Sequence, residues 1–357
     1  MNGKTILITG GAGFVGSNLA VYLKNKYSQC NIVALDNLKR RGSELNVSRL
    51  KEFEIKFIHG DIRNPEDLVI KAPIDIILEC SAEPSVLAGY GENPGYVITT
   101  NLYGTVNCLE LARKHKADMI FLSTSRVYPF TLLNQLKIEE DTKRFCWKED
   151  QSFPGWSTQG VDVDFPLDGP KTLYGATKLA SEHLVIEYAN MYGIRGIINR
   201  CGVISGPWQF GKVDQGVFAL WLLSHHLKKT LFYIGYGGSG KQVRDILHVS
   251  DLCALVDLQL NNLNVGNGKI YNVGGGNSGS LSLLETTDLC RHITGNKIRI
   301  ERKKDARPGD VIIYVTDNQS INRDYAWSPV KSPQEVLIDT YEWIRNYEKE
   351  IVQCGFL

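Results

Sequence analysis

The chain predicts an α/β fold, a doubly wound parallel sheet of the Rossmann type with a smaller mixed α/β C-terminal substrate lobe. Three observations lead there. Short β-branched runs alternate with longer amphipathic stretches through the first half, and the glycine-rich turn Thr9-Gly10-Gly11-Ala12-Gly13-Phe14-Val15-Gly16 follows the first of them. The length, 357 residues, exceeds what one hydrophobic core usually organises.

Strands are expected at 5–8, 32–35, 55–58, 74–78, 119–122 and 196–199, and helices between them at 14–26, 97–114 and 174–191. From about 129 to 171 the periodicity fails, but Phe145, Trp147, Phe153, Trp156 and Phe165 argue for a folded excursion rather than disorder. Beyond Arg200 come loops with Gly206, Pro207 and Gly211, then helices near 215–228, 281–293 and 332–347. The expected division is a Rossmann domain over 1–199, to which 241–276 contributes through 241–260 and 270–274, and a lobe from 200–240 and 277–357.

Composition excludes several function classes. No apolar run approaches the ~20 residues that span a bilayer, and the start of the chain lacks the apolar region of a secretory signal, so a soluble cytoplasmic protein with no membrane partner is expected. A net charge of +1 without basic blocks argues against nucleic acid. The eight cysteines show no Cys-x-x-Cys pair or metal-ligand spacing, so reduced thiols and no metal site are expected.

A phosphate-binding turn needs glycine where the backbone is left-handed, where it nears pyrophosphate, and where helix packs on strand. Gly11-x-Gly13-x-x-Gly16 has that spacing between a strand and a helix, so unpaired amides of the helix start can receive phosphate oxygens. Asp36, at the end of the second strand, can accept hydrogen bonds from an adenosine ribose, which favours NAD over NADP. Lys39, Arg40 and Arg41 lie close enough to a 2′-phosphate to keep NADP open, although Asp36 would repel that phosphate. Asp61, after the third strand, is a candidate for the adenine edge.

Tyr174 and Lys178 stand four apart on a predicted helix, which puts phenol and ammonium on one face. The lysine charge should depress the phenol from its usual ~10 towards working pH and make it a general base. Tyr22 and Lys26 match the same spacing, but on the helix that opens on the pyrophosphate turn, away from the reacting end. Thr124 lies at the carboxyl end of the fifth strand, the edge where such sheets bind ligands.

With these residues the chain resembles the extended short-chain dehydrogenase/reductase family, which carries Thr-Gly-x-x-Gly-x-x-Gly, an Asp after the second strand, a Ser/Thr and Tyr-x-x-x-Lys. The resemblance runs along essentially the whole chain and implies a tightly held NAD, a catalytic triad of Thr124, Tyr174 and Lys178, and a nucleotide-sugar substrate held by the C-terminal lobe. The cofactor contacts it implies are Gly10, Gly11, Gly13, Phe14, Val15, Gly16, Asp36, Asn37, Asp61, Ile62, Ser81, Asn101, Tyr174 and Lys178. A homodimer or homotetramer is implied through the helices at 97–114 and 174–191.

Three segments look like one branch, the CDP-paratose/CDP-tyvelose 2-epimerases: Gly206-Pro207-Trp208-Gln209-Phe210 leading to Asp214-Gln215-Gly216, then Gly240 to His248, and the long excursion before Tyr174. The likeness favours a CDP-sugar and implies substrate contacts from Gln209, Arg244, Arg307 and Asp310, arginine suiting pyrophosphate because its planar fork donates two bonds. The chain departs from the family in two places. Glu79-Cys80-Ser81-Ala82, followed by Glu83-Pro84, stands where His-Leu-Ala-Ala or His-Leu-Ala-Gly is common, and Ser125-Arg126 follows Thr124 where the family's sugar 4,6-dehydratases carry Asp-Glu.

The expected activity is NAD-dependent inversion at C2 of a nucleotide-linked hexose through a transient ketone, because no carbonyl acidifies that C–H bond. A 4-epimerase acting on a UDP- or GDP-sugar would use the same three residues. A non-catalytic NAD-binding sensor is the reading from another class, which the presence of both Tyr174 and Lys178 opposes.

Overall fold

The computed structural model describes residue 1 and residues 3–210 and 216–354. Gly211, Asp214 and Gln215, read above as loop and substrate-motif residues, lie outside the described residues. The first half runs β1 (Thr5–Thr9), α1 (Phe14–Lys26), β2 (Asn31–Asp36), α2 (Ser43–Glu52), β3 (Lys56–His59), β4 (Ile76–Glu79), α3 (Gly104–His115), β5 (Asp118–Thr124), α4 (Leu173–Tyr192) and β6 (Gly196–Cys201). Then come β7 (Val243–His248), α5 (Val249–Asn261) and β8 (Lys269–Val273).

The central sheet has seven parallel strands in the order β8-β6-β5-β4-β1-β2-β3. This is the doubly wound α/β fold that the strand–helix alternation predicts. Its strands are apolar on both faces because helices cover both. Ile6, Ile8 and Ala34 face Leu19 and Leu23 of α1 and Leu252 and Val256 of α5. Leu7, Val33 and Ile77 face Leu109 of α3 and Val185 of α4 on the other side. The strand order reverses between β1 and β4, where Thr9 pairs with Glu79, and a crevice for ligands opens at the carboxyl ends of such a switch point.

Two helices owe their placement to short local signals. α4 starts on Thr172, whose hydroxyl accepts from Gly175 N, and ends at Gly193 with φ 67°. A Cβ at Gly175 would lie 2.1 Å from the Arg126 carbonyl oxygen, so glycine lets the start of α4 sit against the segment after β5. The helix expected at 97–114 is a run of Gly95–Ile98, a π-helical turn at Thr99–Tyr103, and α3.

The excursion holds a small helix, Phe130–Leu133, and two hairpins, Ile138–Glu140 with Phe145–Trp147 and Trp156–Ser157 with Gly160–Val161. Its aromatic residues form a core of their own: Phe153 stacks on Phe165 at 5.2 Å, and Trp147 meets Trp156 edge-on at 5.8 Å. Of the later segments expected to return to the main sheet, the one near 270–274 supplies β8. β7 does not return: it pairs with Val203–Ser205, Ser280–Ser282 and Ile313–Tyr314 in a second sheet. Helices Val217–His226, Leu283–Thr294 and Pro333–Asn346 pack against that sheet around Trp221, Cys290, Val336 and Leu337.

All eight cysteines are free thiols. Among the described residues no helix is long and apolar enough to cross a membrane, and no cluster of His, Cys, Asp and Glu is placed to hold a metal.

Candidate active site

The glycine turn is shaped by contacts that a side chain would block. A Cβ at Gly16 would lie 2.2 Å from the Gly10 carbonyl oxygen, and one at Gly11 would lie 2.6 Å from Ala34 Cβ. Gly10 itself has φ 63° and abuts the Cys80 carbonyl and Ser81 Cα. Within the turn, Gly11 N donates to Leu35 O, Gly13 N to Gly10 O and Ser17 N to Gly13 O. The amides of Phe14, Val15 and Gly16 form the first turn of α1 and precede its hydrogen-bond ladder, so they are free to donate to phosphate. This cradle fits a dinucleotide.

At the adenosine side, Asp36 Oδ2 accepts from Ala12 N at 3.1 Å and Oδ1 from Leu38 N at 2.8 Å, which fixes the carboxylate at the mouth of the turn. Burial pushes its pKa up, and the bonds from Leu38 and Ala12 oppose that. Asn37 Nδ2 donates to Asp61 Oδ2 at 2.9 Å, and Arg63 Nη2 donates to the same oxygen at 2.6 Å. Burial alone would raise Asp61, but Arg63 and Asn37 outweigh it and hold the acid at about 2. Ile62 is buried beneath Gly104, where a Cβ would lie 2.4 Å from Ile62 Cδ1, so it forms an apolar wall.

At the reacting end, the structure brings Thr124 and Tyr174 together where α4 crosses the carboxyl end of β5, with Lys178 one turn further along α4. Thr124 Oγ1 accepts from Arg126 N at 3.2 Å, and the Thr124 hydroxyl lies close enough to the Tyr174 phenol to favour its ionised form. The expectation that Lys178 depresses Tyr174 is not met in this arrangement. Burial pushes the phenol up to about 12, and Thr124 and Arg126 are the groups that pull it back. Lys178 is turned elsewhere: its Nζ lies 3.8 Å from the centre of the Phe121 ring and 3.6 Å from Glu79 Oε2. The second Tyr-x-x-x-Lys pair is committed to structure, with Lys26 Nζ 2.6 Å from Asp257 on α5.

Beside Thr124, a pocket is lined by Ser125, Arg126, Thr172, Arg244, Gly309 and Tyr314. Arg244 Nη2 donates to Asp310 Oδ1 at 2.9 Å and to Val311 O at 2.6 Å, so Asp310 is its counter-charge. The Arg126 guanidinium donates to Gly309 O at 3.3 Å and makes no ion pair among the described residues. Sequence reasoning noted Arg126 only for the acid it replaces; its place next to Thr124 was the signal for a site residue. Arg307 is half-buried at the edge of this region.

Two expected contacts are engaged within the protein. Asn101 is fully buried; its Oδ1 accepts from Glu83 N at 2.8 Å and its Nδ2 donates to Glu83 O at 3.0 Å, so it clamps the loop after β4. Gln209 Nε2 donates to Ile204 O at 2.8 Å and its Oε1 accepts from Ser205 Oγ at 2.7 Å, which closes the turn over Gly206. Ser81, packed against Gly10, lies at the crevice.

Comparison with known proteins places this geometry among others. The model of the NAD dependent epimerase/dehydratase family matches residues 6–274. The chain is 32% identical to CDP-paratose 2-epimerase of Salmonella typhi over 352 residues, 95% of this chain and 98% of that protein. It is 28% identical to dTDP-glucose 4,6-dehydratase of Streptomyces niveus over 350 residues, 96% of this chain and 93% of that one. UDP-glucuronic acid 4-epimerase from Bacillus cereus, solved with UDP-glucuronic acid and NAD, is similar at a TM-score of 0.76 and 25% identity, covering 96% of this chain and 99% of that one.

Proposed function

The chain belongs to the NAD dependent epimerase/dehydratase family, whose enzymes include NAD-dependent nucleotide-sugar epimerases, and on that premise we propose that it inverts C2 of a CDP-linked hexose, CDP-paratose to CDP-tyvelose. The observation that carries the proposal is the Tyr174 phenol beside the Thr124 hydroxyl, at a pocket of two guanidiniums and with no carboxylate directly after Thr124. Elimination of water needs an acid near the leaving hydroxyl, and Ser125-Arg126 offers none. The likeness along the whole chain to a CDP-paratose 2-epimerase supports C2 as the carbon and CDP as the carrier.

The amides of Phe14, Val15 and Gly16 would receive the pyrophosphate of NAD, and Asp36 its adenosine ribose. Bound there, NAD supplies a hydride acceptor that gives the hydride back, so no reducing equivalent is consumed. Tyr174 takes the proton of the C2 hydroxyl, and Thr124 hydrogen-bonds the same oxygen as it becomes a ketone. Arg244 and Arg307 bind the substrate pyrophosphate, leaving the keto sugar free to turn its other face before Tyr174 returns the proton. Burial holds Tyr174 at about 12, so it becomes a base only when positive charge gathers near it.

The test is incubation of the protein with a panel of nucleotide sugars followed by proton NMR. CDP-tyvelose from CDP-paratose supports the proposal; UDP- or GDP-sugars inverted at C4 in its place would replace it with a 4-epimerase. Tyr103 and Met191, 57% and 65% exposed beside α3 and on α4, favour a homodimer through these helices, which sedimentation would detect.

A further inference from the structure

Glu79 closes β4 at the switch point, with Thr9 of β1 opposite it on one side and Phe121 of β5 on the other. Its side chain is fully buried, and neither carboxylate oxygen has a hydrogen-bond partner among the described residues. Thr9 Oγ1, beside it, is likewise without one. Its single ion-pair partner there is Lys178, whose side chain is 2% exposed and whose Nζ stands 3.6 Å away.

Three thiols lie around the pair: Cys80 at the end of β4, Cys108 on α3 and Cys201 on β6. Burial pushes all three up, so they are neutral at physiological pH. The nearby Glu182–Arg200 pair, 2.8 Å apart, is neutral as a unit. Lys178 and Glu79 are thus the net-neutral charge content of this floor. An ion pair taken wholly out of water and left short of hydrogen bonds is a poor source of stability, and polar cost of this kind is tolerated where function requires it.

We propose that Glu79 is a positioning residue whose carboxylate balances Lys178, so that the pair adds no net charge beneath the reacting end of the crevice and does not disfavour oxidised NAD against reduced NAD. The oxidised nicotinamide ring is cationic and the reduced ring is neutral. An unbalanced Lys178 would repel the first and not the second, and an epimerase must rest with its cofactor oxidised. Burial pushes the Glu79 acid up, and the Lys178 charge 3.6 Å away opposes that. The inference rests on the proposed NAD site, with Lys178 under its nicotinamide end.

The experiment measures dissociation constants of NAD+ and NADH by calorimetry on the full chain, without any sugar substrate. Glu79→Gln should raise the ratio Kd(NAD+)/Kd(NADH) roughly tenfold, the scale of one charge acting over ~10 Å at an effective dielectric of about 20. Glu79→Asp keeps the charge and should leave the ratio near that of the parent. Lys178→Met removes the cation and leaves the buried acid to take up a proton, so the ratio should stay near that of the parent even though both affinities fall. Equal changes in both constants for Glu79→Gln, or no change, overturn the proposal, as does a Lys178→Met ratio moving in the same direction as Glu79→Gln. Failure of the underlying reading looks different: Lys178→Met would then leave both constants untouched.

Discussion

The two ends of the crevice are built on opposite terms. At the adenosine end the carboxylates are satisfied: Asp36 by the Ala12 and Leu38 amides, Asp61 by Arg63 and Asn37. At the reacting end, Thr9 and Glu79 hold buried oxygens without hydrogen-bond partners among the described residues, and the Tyr174 phenol is forced up to about 12. The first end is pre-organised to bind and should respond little to pH near neutrality. The second keeps polar groups whose energies change when charge arrives, which is where acid–base work is done.

Substitutions can break this contrast. The largest effect is expected at Tyr174. Tyr174→Phe should lower turnover by about 10²–10⁴-fold, the usual contribution of one general acid–base group, while NAD affinity by calorimetry changes little. Equal loss of both would make Tyr174 a binding residue and dissolve the contrast. At the other end, Asp36→Ala strips the Ala12 and Leu38 amides of their acceptor, at a cost of about 1–3 kcal/mol. NAD affinity should fall roughly 10- to 100-fold with turnover intact at saturating cofactor.

A third prediction concerns stability against pH. Asp61 sits at about 2 in the folded chain against an ordinary 3.8. Its folded value is depressed, so its contribution is fully present above pH ~4 and is lost as pH falls through about 2. The size is about 2 kcal/mol at ~1.4 kcal/mol per unit. Urea unfolding at pH 5 and pH 2.5 should show that component in the parent and not in Asp61→Asn. The smallest effect tests Arg126, the cation that pulls Tyr174 down. Arg126→Met should move the rising limb of the turnover–pH profile upward, and a downward shift would remove Arg126 from the account.

Local signals made much of the fold legible. α1 spans Phe14–Lys26, as periodicity predicts, because Gly13 precedes it and Lys24 and Lys26 close it. β7 was misplaced because a short apolar run with β-branched residues reads alike whichever sheet receives it, and pairing with Ser280–Ser282 and Ile313–Tyr314 is a distant contact. The site follows the same division. The Gly11-x-Gly13-x-x-Gly16 turn and Asp36 were visible because turn chemistry and strand ends are local. Asn101 and Gln209 were expected at the cofactor and the substrate, because their partners within the protein, Glu83 and Ile204, follow from loop closure that no periodicity reports. Glu79 read only as a departure, because its pairing with Lys178 exists once β4 and α4 are packed together.

The central claim, reversible oxidation at C2 by a hydride that never leaves the site, is tested most directly with CDP-paratose carrying deuterium at C2, incubated with the purified enzyme in ordinary water and followed by NMR. The account predicts CDP-tyvelose that retains the deuterium at C2, with no net NADH formed. Product in which that deuterium has exchanged for solvent hydrogen would contradict it.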